Sequence, residues 1–170
     1  MTSPAPAAPE VQALLAALDG QRRHILGILD GLCEEDLRRP VLPSGWSCLG
    51  LVQHLALDVE RFWFQAVVTG DKDVIASLAD IDNAWQVPDT TPTTEVLARY
   101  RTETARADAI AAASAPDTPL AWWPQDLFGD PHLHTLRDVL LHVLTETACH
   151  AGHLDAAREL LDGRRWLVLT

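Results

Sequence analysis

Thr135-Leu-Arg-Asp-Val-Leu-Leu-His-Val-Leu-Thr-Glu-Thr-Ala-Cys-His-Ala-Gly-His-Leu-Asp155 carries one line of side chains at helical spacing. Positions 139, 143, 146, 150, 153, 157 and 160 read Val, Val, Glu, His, His, Ala, Leu. Steps of three and four put them on one seam of an amphipathic helix, whose apolar ends turn it towards a core. The middle of the seam is Glu146, His150 and His153, three titratable groups where apolar ones are expected. Burying such groups costs several kcal/mol unless something pairs with them. Neutral imidazoles with a carboxylate form a donor set that a divalent metal accepts. A metal site inside a helical bundle accounts for the pattern. So does a metal-free hydrogen-bonded network, provided every polar atom is satisfied.

Working outward, the spacing predicts four long helices and an all-α fold. The first runs from about Glu10 to Asp30 and stops at Gly31; a turn follows over Cys33–Arg39. Ser47 is a good N-cap for the second helix, Cys48–Thr69, which stops at Gly70. Asp71–Thr91 reads as a long connection with one helical turn at most. Thr93-Thr94-Glu95 opens a third helix to about Ala113, and Trp122–Pro131 is an aromatic-rich loop. The fourth helix starts near Thr135 and ends before Asp162-Gly163. Residues 1–9 read as a disordered leader and 10–170 as one domain, a four-helix bundle with long connections. The closing Trp-Leu-Val-Leu is too short to define a sheet.

The second helix supplies a partner for the seam. Leu51, Leu55, Val59, Phe62 and Ala66 form its core stripe, with His54 at the border and Asp58 one turn further on. A metal site between helices 2 and 4 would take His54, Glu146 and His150 as ligands. Three protein ligands and one open position is the arrangement of a catalytic rather than a structural zinc site. His24, His132, His134 and His142 are read as packing residues, with His142 on the Glu146 ladder and able to cap the site from outside.

Composition narrows the function classes. The 170 residues carry a formal charge of −11, which opposes nucleic-acid binding and an anionic membrane surface. No apolar run approaches the ~20 residues of a membrane span. Three cysteines without CxxC spacing give neither a disulfide framework nor a cysteine zinc site, so a cytoplasmic location is the default. Cys48, near a helix N-terminus, is a candidate for a lowered thiol pKa, although packing is the commoner role for it and for Cys149. The six tryptophans line a substrate cleft or cover helix ends; Trp46, just before the second helix, is the one expected nearest the site and a candidate cofactor contact. Apolar residues outside the core stripes leave room for a homodimer.

Trp46-Ser47 followed by His54, together with Glu146-Thr-Ala-Cys-His150-Ala-Gly-His153 and the trailing Asp155-Ala-Ala-Arg158-Glu159-Leu-Leu-Asp162-Gly163, resembles the DinB-like superfamily of four-helix metalloproteins. Within it the chain is similar to the branch of mycothiol-dependent maleylpyruvate isomerase and related thiol S-transferases. The resemblance implies a metal held by His54, Glu146 and His150. Many members have His at the position of Glu146, and Gln is frequent at that of His153, which is therefore assigned beside the ligands or as a variable fourth one. The sequence ends at Thr170 without the isomerase's additional C-terminal domain, so maleylpyruvate isomerisation is not the expected reaction.

The resemblance further implies a metal-dependent enzyme that transfers a small thiol, mycothiol or similar, to an electrophilic substrate through a metal-bound thiolate. His153 or Asp58 would accept the thiol proton or orient a ligand. Zinc suits the donor set, as do nickel, iron and manganese. Two other readings fit the same ligands: a hydrolase using metal-bound hydroxide, and a non-catalytic metal-binding stress protein.

Overall fold

A computed structural model describes residues 7–80 and 83–166. Helices dominate the described chain, and the one extended pairing among these residues is an isolated bridge between Pro119 and Thr135. The four long runs lie where hydrophobic spacing puts them: α1 (Pro9–Leu29), α3 (Cys48–His54) continued by a π-helix (Leu55–Val68), α5 (Thr93–Ala112) and α7 (Leu136–Asp162). Between them lie α2 (Glu34–Arg38), α4 (Lys72–Ser77) with a 3₁₀ turn (Leu78–Asp80), and α6 (Gln125–Phe128). The connections thus hold more helix than expected, since α2 and α4 each bury a single residue and α6 none, which leaves little periodicity to read. Of the expected leader, residues 1–6 lie outside the described residues, as does most of the closing Trp-Leu-Val-Leu; Pro9 already occupies the first turn of α1, where its missing N–H is harmless.

Local chemistry sets the ends of these helices. The Ser47 side chain accepts from the Gly50 N–H at 3.1 Å and starts α3. Thr135 and Asp138 form a reciprocal capping box on α7, and Gly163 (φ 79°) closes it in the left-handed region. The C-terminal carbonyls of α1 are satisfied from α7, where Arg158 Nη1 donates to the Ile28 and Asp30 carbonyls at 2.7 and 3.0 Å.

α1 packs on α7, and the α3–π run packs on α5 and α7, around a core that includes Leu18, Ile25, Leu51, Leu55, Phe64 and Leu154. The expected stripe Leu51, Leu55, Val59, Phe62 and Ala66 is buried. The second helix differs in its winding: from Leu55 onward its bonds run from i to i+5, a rare form that recurs at functional sites. On α7 the expected seam holds for Val139, Val143, His150 and Ala157, but His153 and Leu160 are exposed. A strict 3.5-residue repeat falls behind a straight helix by ~20° per heptad, so three heptads carry its far end out of the core. Thr147, Ala151 and Leu154 take the buried line instead.

One ion pair crosses this core. Arg22 of α1 donates from Nε and Nη2 to the two Glu60 oxygens at 2.7 and 2.6 Å, and from Nη1 to Asp108 of α5 at 2.6 Å. Burial works against the Arg22 charge, but the hydrogen bonds and charges of Glu60 and Asp108 outweigh it and hold the guanidinium ionised. Breaking such a pair strands a buried charge and costs about 3–5 kcal/mol. Glu60→Ala is therefore expected to lower the melting temperature by roughly 10 °C, and Arg22→Met with Glu60→Leu to recover most of that loss. A thermal scan of the three proteins checks it; an unchanged Glu60→Ala melting temperature contradicts the role given to the pair.

Candidate metal centre

His54 is the last residue of α3, at the junction with the π segment. Its Nδ1 lies 2.8 Å from Asp58 Oδ2, one turn on. A carboxylate there holds the proton on Nδ1 and leaves the Nε2 lone pair pointing away. That Nε2 is buried and has no hydrogen-bond partner among the described residues. The buried Tyr100 and Thr147 hydroxyls also lack partners, but a hydroxyl can rotate, whereas the direction of an imidazole lone pair is fixed by its ring. An unpaired buried acceptor costs about 1–3 kcal/mol, so the position calls for a cation or a donor.

α7 brings the rest. One donor atom each from His54, Glu146 and His150 lies within 4.8 Å of the others, a group able to hold a metal ion. His150 Nε2 is 3.0 Å from Glu146 Oε1, and its Nδ1 is 3.3 Å from His153 Nδ1. Burial above all pushes the His150 pKa down, with Glu146 pulling the other way, which favours the neutral imidazole a metal requires. Two nitrogens and a carboxylate oxygen, converging on one buried lone pair, fit a divalent ion of the zinc type.

Of the other residues singled out in the sequence, Asp58 touches His54, and His153 touches His150 from an exposed position. The Trp46 ring sits 6.2 Å from that of His153. The aromatic residue against the ligand group is instead Trp85, stacked on His54 at 4.0 Å and 17° and 5.5 Å from the His150 ring. Its placement depends on α3. A Cβ on Gly50 would lie 2.0 Å from the Trp85 carbonyl oxygen, so only glycine lets the 83–86 loop come this close. Gln53 Nε2 then donates to the Ala84 and Gln86 carbonyls at 3.0 and 3.1 Å, and the Asn83 side chain accepts from the Trp85 N–H at 3.0 Å. The Asn83 turn is the only local signal in the sequence, and it says nothing of the partner across the fold.

His132 and His142, read from the sequence as packing residues, border a cleft of ≈ 270 Å³ with His54, Asp58, Trp63 and Glu146. Burial in the first place lowers the His142 pKa, and its ring packs edge-on against Trp63 at 4.5 Å. His24 does pack, 2.7 Å from Asp155 and stacked on Trp166. A second hollow of ≈ 350 Å³ lies between Ser44–Trp46 and Asn83, Trp85 and Gln86. Trp46 and Trp85 thus line the second hollow and Trp63 the cleft, while Trp122 and Trp123 pack against Phe62 and Trp63, and Trp166 lies on His24. Cys48 is no activated thiol: burial outweighs its place at a helix start and pushes it up to about 11. Cys149 is exposed, so it does not serve as core packing.

With this geometry in view, the mycothiol S-transferase family model matches the chain over residues 13–163. The chain belongs to the mycothiol S-transferase family. The match reaches from within α1 to just past the end of α7 and includes His54, Glu146 and His150, and it agrees with the DinB-like, mycothiol-related character of the motifs. No curated protein matches the chain. Among the described residues no helix is long and apolar enough to cross a membrane.

Two predictions follow from the packing of the site. Gly50→Ala is expected to lift the 83–86 loop off His54, changing tryptophan fluorescence while far-UV dichroism stays native; an unaltered emission spectrum argues against the contact. His142 and His150 hold a proton less readily in the fold than at their ordinary pKa of 6.5. Their contribution is therefore intact above about pH 6.5 and is lost as the pH falls and the unfolded chain takes up protons first. The urea midpoint of metal-free protein should drop between pH 7.5 and 5.5, with a shallower drop in His142→Asn; equal slopes refute the assignment.

Proposed function

We propose that this chain is a metal-dependent thiol S-transferase built as a DinB-type four-helix bundle, with His54, Glu146 and His150 as ligands of one divalent ion, zinc before nickel, iron or manganese. The observation that carries the reading is the buried, unpartnered His54 Nε2, whose ring is fixed by Asp58 beside Glu146 and His150. Family membership supports mycothiol or a similar small thiol as co-substrate, and with it a cytoplasmic setting. When bound, the ion supplies positive charge that favours the thiolate form of a nearby thiol at neutral pH.

The chain's own residues then divide the work. Asp58 holds His54 through Nδ1 and also borders the cleft, where it can accept the thiol proton. His153 orients His150 from outside the ligand group. Trp85 covers the His54 ring and keeps water from that side. In the reaction the S–H bond breaks and its proton passes to Asp58 and on to solvent. The sulfur forms a bond to the electrophilic carbon, and the leaving group departs with its bonding pair.

Metal analysis of purified wild type beside His54→Ala, Glu146→Ala and His150→Ala tests the ligands: about one ion per wild-type chain is expected, with a loss of tenfold or more in occupancy for each variant. Stoichiometric metal in all three overturns the assignment. Mycothiol consumption with an electrophile should occur only with metal present; ester cleavage that needs no thiol would favour hydrolysis instead.

A further inference from the structure

The cleft beside His54 and Glu146 adjoins a second, apolar cavity. That cavity, ≈ 250 Å³, is bordered by Phe62, Leu78, Leu127 and Phe128, and shares Asp58 and Phe128 with the first. Phe128 stacks on Trp63 at 5.7 Å and 19°, and Phe62 meets Phe128 edge-on at 6.2 Å, so the shared trough has aromatic walls. At its mouth Leu127 and Phe128 are 68% and 46% exposed, large apolar side chains presented by a four-residue helix. A cavity of about 150 Å³ already holds benzene, so either half accommodates a substituted ring.

Charge narrows the occupant. The trough is bordered by the carboxylates of Asp58 and Glu146, and among the described residues neither lysine nor arginine borders it. Those two carboxylates offset the charge of a divalent ion held beside them, so a carboxylate-bearing substrate finds no surplus positive charge and no side-chain counter-ion. A flat, uncharged ring with electron-withdrawing groups instead finds parallel and edge-on aromatic partners. The hollow between Trp46 and Trp85 has no lining residue in common with the trough, which leaves it free for the other substrate.

Resting on the thiol-transfer reading, we propose that the electrophile is a neutral, planar aromatic compound bound along the Trp63–Phe128 wall. With an aryl halide, the sulfur bonds to the halide-bearing ring carbon, the carbon–halogen bond breaks, and halide leaves with the electron pair. The thiol proton is released to solvent, so a thiol and an aryl halide give an aryl thioether and a hydrogen halide.

The test uses metal-loaded full chain with mycothiol and three electrophiles: 1-chloro-2,4-dinitrobenzene, neutral iodoacetamide and anionic iodoacetate. The aryl halide should exceed iodoacetate at least tenfold in enzyme-catalysed kcat/KM over each background reaction. In Phe128→Ala, a change at a surface position, the ratio of aryl to iodoacetamide turnover should fall about tenfold, through KM, with metal content unchanged. Separately, unreactive 1,3-dinitrobenzene should quench tryptophan emission saturably, with about tenfold weaker binding in Phe128→Ala. Turnover of iodoacetamide with no aryl preference refutes the aromatic substrate and leaves thiol transfer standing. No turnover of any electrophile, with dinitrobenzene still bound through Phe128, refutes thiol transfer and upholds the aromatic site. Dinitrobenzene binding that ignores Phe128 overturns the trough assignment.

Discussion

A histidine with one nitrogen tied down and the other left bare is the constraint around which this molecule is arranged. Asp58 fixes His54 from within its own helix, so the free nitrogen can be satisfied only by what the opposite helix brings. α7 brings Glu146 and His150, and for them to arrive the helices must be set at a definite separation. The Arg22–Glu60–Asp108 cluster joins α1, the π segment and α5, while Arg158 ties α7 to the end of α1. Charges buried with partners are poor sources of net stability. They do penalise every arrangement in which the partners are apart, and that is what a site spanning two helices needs.

Much of this was legible in the chain. The four long helices followed from apolar spacing and from Ser47, Thr135 and Gly163, whose capping chemistry is local. That His54, Glu146 and His150 come together was legible because two of them lie one helical turn apart, the third borders an apolar stripe, and the motifs resemble the DinB-like superfamily. The short helices α2, α4 and α6 were not, since so few residues of each are buried. Neither was Trp85, whose place depends on Gly50 and Gln53 more than thirty residues away. Ligands on long helices announce themselves by periodicity; a loop folded over them leaves no period.

His153 marks the limit of the helical-wheel argument. It stands three residues after His150 and reads as an equal member of the seam, yet it is exposed and reaches the group only through the His150 ring. His132 erred in the opposite direction, since nothing near it in the sequence suggests that it shares a cleft with His54, whereas His142 borders that cleft from the Glu146 ladder. Cys48 shows competing effects resolved by magnitude: a helix start favours thiolate, but removal from water is larger and the thiol stays protonated.

The π winding of Leu55–Val68 makes chain length itself part of the site. His54 precedes the segment, Glu60 lies inside it facing Arg22, and Phe62 and Trp63 border the cavities further along. Deleting a single residue between His54 and Glu60 would turn everything downstream by roughly a quarter of a turn relative to the histidine. It would carry Glu60 away from its arginine and the aromatic wall away from the cleft, with no side chain downstream changed in chemistry. Relatives in which this helix is one residue longer or shorter must therefore rebuild both the ion pair and the wall, whereas substitutions along it can be absorbed one at a time.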